Sequence, residues 1–132
     1  MTHSSQESNK WRAAVIACGR ISRAHAHGYR VNPEIELVAC ADISREALDA
    51  FGEQFSVPPE RRYLDYNEML DKERPDIVSV CSHHQLHASM TIAAAKRKPR
   101  AIFCEKPIAL SLREADDMIE ACQKADALLI IG

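Results

Sequence analysis

Two groups of residues in this chain have types and spacings suited to binding and turning over a ligand, and a third raises the question of a metal. The first is the pair Gly19 and Asp42. An apolar run ends at Cys18-Gly19, a helix-like segment follows, and a second apolar run closes on Asp42, about twenty residues past the glycine, as in dinucleotide-binding units. A turn without a side chain lets main-chain N–H groups and a helix N-terminus, worth about half a positive charge, face a pyrophosphate. A carboxylate after the second strand accepts hydrogen bonds from both hydroxyls of a ribose and repels a 2′-phosphate. Asp42 therefore points to NAD over NADP, with Arg45 near enough to receive a 2′-phosphate if Asp42 turns away. The glycine motif is degenerate. Where G-x-G-x-x-G would stand, the chain has Ala17-Cys18-Gly19-Arg20-Ile21-Ser22, and a lone Gly19 could equally do no more than end a strand.

The second group is Glu105-Lys106-Pro107, which follows an apolar strand-like run. A lysine on the same edge as Gly19 and Asp42 could donate a proton or stabilise a developing alkoxide, with Glu105 paired to it. A surface ion pair explains the same spacing equally well. The third group is histidine. His84 and His87 are three apart, His83 is adjacent, and His25 and His27 fall in an earlier helical segment, so a metal cluster is conceivable. Against it, no carboxylate or cysteine completes a recognisable ligand spacing, and the reading is that no metal binds. For His87 two roles stay open, a packed structural histidine and a contact near a nicotinamide.

The elements that would hold these residues alternate between strand and helix. Strands are expected at Ala13 to Cys18, Ile35 to Ala41, Arg62 to Leu64, Ile77 to Cys81, Ala101 to Cys104 and Leu128 to Ile131. Most are continuous apolar runs, as in a sheet covered on both faces. Between them lie helical segments. The first spans about Arg20 to Tyr29; the second spans Ser44 to Phe55, with Ala47, Leu48, Phe51 and Phe55 on one stripe. Asp65 with Glu68 and Ser111 with Glu114 read as capping boxes, the latter with a Leu110–Ala115 staple. Leu86, Met90, Ala93 and Ala94 mark the inner face of the helix after the fourth strand, and Lys96, Arg97 and Lys98 complement its C-terminal dipole. Ala115, Met118, Ile119 and Cys122 mark the inner face of the last helix. The fold class is α/β, a doubly wound parallel sheet in the order 3-2-1-4-5-6, with a ligand across the switch point between strands 1 and 4.

Composition agrees with one soluble domain over 11–132. Hydrophobic residues make up 46% and charged residues 27%, and the formal net charge of −2 favours neither nucleic acid nor an anionic membrane surface. The polar first ten residues, MTHSSQESNK, lack a signal-peptide core, so a flexible tail at 1–10 and a cytoplasmic protein are expected. The five cysteines form no C-x-x-C pair and read as core filler.

Taken together, AVIACGRISRAHAHGY, VACADIS, VSVCSHHQLHA and above all CEKPIALSLREADDMIEAC resemble the N-terminal domain of the glucose–fructose oxidoreductase, inositol dehydrogenase and rhizopine-catabolism (Gfo/Idh/MocA) family, from about Trp11 to Gly132. The resemblance implies that Cys18, Gly19, Arg20 and Ile21 face the pyrophosphate and Asp42 the adenosine ribose. Ser82 matches the first residue of the family's Thr-Pro or Ser-Pro contact to the nicotinamide-side ribose, although His83 replaces the proline. His87 matches the family's histidine in the following helix, and Glu105 joins the cofactor set. Lys106 matches the lysine that assists proton transfer while hydride passes between NAD, or NADP, and a sugar, inositol or related alcohol. The family's second α/β domain is absent from this chain, so the implied fragment is inactive by itself. The rival reading is a non-catalytic dinucleotide-binding or sensing module.

Overall fold

The computed structural model describes residues 10–132, so the tail expected over 1–10 lies outside the described residues save Lys10. Strands β1 (Trp11–Ile16), β2 (Ile35–Ala41), β3 (Arg62–Tyr63), β4 (Ile77–Val80), β5 (Ala101–Cys104) and β6 (Leu128–Ile131) form one parallel sheet in the order β3-β2-β1-β4-β5-β6. The helices joining them are α1 (Ser22–Val31), α2 (Arg45–Phe55), α3 (Tyr66–Glu73), α4 (His87–Ala95) and α5 (Leu112–Ala125). This is the doubly wound fold expected from the alternation of apolar runs. Strand alternation feeds two cores. Ala13 and Val15 pack with Tyr29, Leu48, Phe51 and Phe55 under α1 and α2. Ala14 and Ile16 pack with Met69, Leu70, Ala94 and Met118 under α3, α4 and α5.

Differences from the expected boundaries have local causes. β1 begins at Trp11, whose N–H reaches the Glu34 carbonyl at 2.9 Å, and stops at Ile16, because Ala17 swings to φ 77° and breaks the extended geometry before Cys18. Ser111 accepts the Glu114 N–H at 3.1 Å, but the Glu114 carboxylate closes on the Leu110 N–H, one residue earlier than a capping box requires. Leu110 is left 61% exposed in place of the expected staple, and Ile119 lies outside the buried stripe of α5. Asp65 caps α3 through the Asn67 N–H, while Glu68 turns to Lys72. Arg97 does more than complement a dipole: it bonds Asp71 and Asn67 of α3 as well as the Ala93 carbonyl.

The inner face of α4 is wider than the expected one and excludes Leu86. A 3-10 turn over His84–Leu86 precedes the helix, and His87, Ala88, Thr91, Ala94 and Ala95 turn inward. Of the expected face, Ala94 is buried and Met90 and Ala93 pack against the core, while Leu86 is exposed and lines a cleft with Met90. Among the described residues, no helix is long and apolar enough to cross a membrane.

Candidate dinucleotide site

The cleft lies at the carboxyl edge of the sheet where the strand order reverses between β1 and β4, the position at which open α/β sheets bind ligands. It encloses about 420 Å³ and is lined by Ala17, Gly19, Ile21, Asp42, Ser82 and Leu86, among others. Arg20 also lines it. Gly19 does not adopt a left-handed conformation, and a Cβ built on it meets nothing within 4 Å. The fold itself therefore has no use for a glycine here, and the missing side chain matters only to something lying against the loop. No hydrogen bond among the described residues uses the N–H groups of Gly19, Arg20 or Ile21, and Ile21 supplies no side-chain cap to α1. Bare N–H groups beside open space fit the phosphates of a dinucleotide. The left-handed residue is Ala17, whose N–H bonds the Ala41 carbonyl at 2.7 Å.

Asp42 is fixed from both sides. Its Oδ2 accepts the Cys18 N–H at 2.7 Å and its Oδ1 accepts the Ser44 N–H at 2.8 Å, which leaves each oxygen a lone pair for a further donor. Cys18 corrects the expectation that it faces the pyrophosphate. Its N–H is committed to Asp42 and its side chain is buried in the core, where the Cys40 thiol and burial push its own thiol well above the usual range. Arg45 lies 3.6 Å from Asp49 of its own helix.

His87 is also placed differently from a nicotinamide contact. Its ring is fully buried, with Nδ1 2.8 Å from the Pro107 carbonyl and Nε2 3.0 Å from the Ser82 carbonyl. The packed role is the one seen: the ring ties the loop after β4 to the loop after β5. The expected Glu105–Lys106 pair is not made. Glu105 Oε2 lies 2.6 Å from His25 Nε2, and Lys106 is exposed and forms no ion pair among the described residues. Behind His25, its Nδ1 is 2.8 Å from the Ser79 hydroxyl, which is 2.6 Å from the Tyr29 hydroxyl. Burial pushes Tyr29 up to about 12, while burial and the Glu105 charge push the Cys81 thiol up.

Sequence reasoning missed this role of His25, having met it only as a conceivable metal ligand. The signal was there in α1: Ser22, Ala26 and Tyr29 form its buried stripe, and His25 falls beside them at helical spacing. Serine, histidine and carboxylate in line have the distances of a nucleophile triad. However, Ser79 is 0% exposed and already shared with Tyr29, so no substrate reaches it. Among the described residues no group of three potential ligands could hold a metal ion.

Comparison with known proteins agrees with this geometry. The family described as "Oxidoreductase family, NAD-binding Rossmann fold" (Gfo/Idh/MocA) matches residues 11–132. The chain is 37% identical over 121 residues to a myo-inositol 2-dehydrogenase of Thermotoga maritima, which covers 92% of this chain and 35% of that one. It is 37% identical to a D-apiose dehydrogenase of Paraburkholderia graminis, covering 92% of this chain and 32% of that one. The crystal structure of the WlbA dehydrogenase of Bordetella pertussis, in complex with NADH and UDP-GlcNAcA, superposes with a TM-score of 0.86 at 27% identity, covering 93% of this chain and 37% of that one. The chain thus spans about a third of the length of the relatives it matches. With the sheet order, the switch-point cleft and the match over 11–132 in agreement, the chain belongs to the Gfo/Idh/MocA family of oxidoreductases and is its NAD-binding Rossmann domain.

Proposed function

We propose that this chain is the cofactor-binding part of a dehydrogenase that moves hydride between NAD and a hydroxyl-bearing carbon of a sugar, inositol or related polyol. The observation that carries the reading is the bare loop at Gly19, where neither the fold nor a neighbouring atom calls for a glycine, facing a cleft that holds Asp42. Gly19, Arg20 and Ile21 offer their N–H groups to the pyrophosphate. The lone pairs left on Asp42 accept from the adenosine ribose and disfavour a 2′-phosphate, so NAD is preferred to NADP. Ser82, which lines the same cleft, is assigned to the nicotinamide-side ribose. NAD, when bound, supplies the hydride acceptor. Lys106 holds the proton that leaves or returns to the substrate oxygen, and its ammonium favours the alkoxide side of the reaction. The names of the relatives, which include inositol and apiose dehydrogenases, support a polyol substrate.

The described residues bring Lys106 no acid–base partner and no wall that would exclude water from it. Turnover is therefore assigned to a longer protein, and binding to this domain. The test is a calorimetric titration of the chain with NADH and then NADPH, repeated on Lys106→Ala. NADH binding with a preference over NADPH, unchanged by the substitution, is the expected result. Absence of binding for both nucleotides overturns the reading.

A further inference from the structure

The carboxylate beside Lys106 is held from across the sheet. Phe103 and Glu105 face α1, where Phe103 meets the His25 ring edge-on at 6.0 Å and Glu105 meets its Nε2. The Glu105 N–H stays on the sheet, bonded to the Val80 carbonyl at 3.2 Å. The hydroxyls of Ser79 and Tyr29 form a hydrogen-bonded chain behind His25. With the ring proton on Nε2 every group has a partner: the Nε2–H donates to Glu105, Nδ1 accepts from Ser79, and Ser79 accepts from Tyr29. Tyr29 and His25 sit on α1, the helix that the Gly19 loop opens, while Ser79 is in β4 and Glu105 follows β5.

We infer that His25 is a positioning residue for Lys106. By binding the Glu105 carboxylate, it anchors the residue before the lysine and withholds from the lysine its adjacent counter-ion, leaving the ammonium open to a substrate oxygen. The functional meaning of this contact rests on the reading of Lys106 given above. The contact itself does not.

The experiment uses the isotope-labelled chain and follows by NMR the His25 ring nitrogens and the mobility of the Lys106 ε-methylene group. In the parent chain the proton is expected on Nε2, with Lys106 as mobile as Lys96 and Lys98. His25→Phe frees Glu105 to pair with Lys106, and the amplitude of the lysine's motion falls about twofold, as expected for a weak exposed ion pair. His25→Phe combined with Glu105→Gln restores the mobility, and His25→Gln, which keeps an N–H for Glu105, leaves it high. Unchanged mobility in His25→Phe, or ordering that persists in the double variant, overturns the inference. If His25→Phe does not fold, Glu105→Gln alone decides. Unchanged Lys106 mobility supports the inference, and a gain in mobility shows that Glu105 was the lysine's partner all along. NADH titration of the same samples separates the two claims, because failure of the parent chain to bind removes the proposed function and leaves the His25 result readable.

Discussion

At the exits of β1 and β2, the polar groups beside the cleft include unbonded main-chain N–H groups and one carboxylate, and that carboxylate is itself fixed by the N–H groups of Cys18 and Ser44. Around the exit of β5 the arrangement is reversed. There, side chains from two helices, the half-buried His25 on the Glu105 carboxylate and the buried His87 on the Pro107 carbonyl, hold the residues on either side of Lys106. A site made of main chain tolerates substitution as long as the turn is kept, which is how Ala17 and Ser22 stand where glycines are usual. A site positioned by side chains has no such latitude, since each imidazole is satisfied only by the groups now around it.

The comparison breaks most readily at Gly19. Gly19→Val leaves folding stability within about 0.5 kcal/mol, because its side chain meets only open space, yet NADH affinity measured by calorimetry falls at least ~100-fold as the phosphates lose the loop. Retained affinity means that the ligand lies elsewhere. At the lysine corner the expected effect falls on stability instead. His87→Leu removes the ring N–H that one of the Ser82 and Pro107 carbonyls accepts, along with the packing of a fully buried ring, and lowers chemical-denaturation stability by about 2 kcal/mol. Asp42→Ala is smaller and falls on binding, weakening NADH about tenfold and narrowing its advantage over NADPH, read by paired titrations. Ala17→Gly is smallest and sharpens the contrast. Relief of about 1–2 kcal/mol of left-handed strain outweighs roughly 0.4–1 kcal/mol of added chain entropy in the unfolded state. The melting temperature therefore rises by a few degrees.

Legibility in the sequence follows the same division. Apolar runs bounded by Asn32-Pro33, Pro58-Pro59 and Pro75 display the sheet order plainly, because a strand covered on both faces has to be apolar throughout. Gly19, Asp42 and Lys106 were read as one edge; the structure brings Gly19 and Asp42 to one cleft with Ser82, and Lys106 is not in that cleft's lining. The destinations of Glu105 and His87 were not readable. Both depend on partners far away in sequence, His25 for one and Pro107 for the other, and spacing carries no information on contacts made by tertiary packing. The inward place of His87 in α4 was hidden for a related reason: a ring set between two backbone carbonyls is buried where hydropathy favours only apolar residues.

The place of β1 in the sheet has a consequence for how the chain is assembled. Of the described strands, the one made earliest is a central one, flanked by β2 on one side and β4 on the other. Its second edge stays unpaired until Ile77–Val80 has been made, and Arg12 waits for the Glu73 and Asp76 carboxylates, 61 and 64 residues away. Closing so long a loop has to precede the contacts that reward it, which slows folding compared with a chain built from neighbouring contacts. On the ribosome, the β4-facing edge of β1 has no partner until β4 emerges. That interval is when pairing with a second copy, or capture by a chaperone, competes with correct folding.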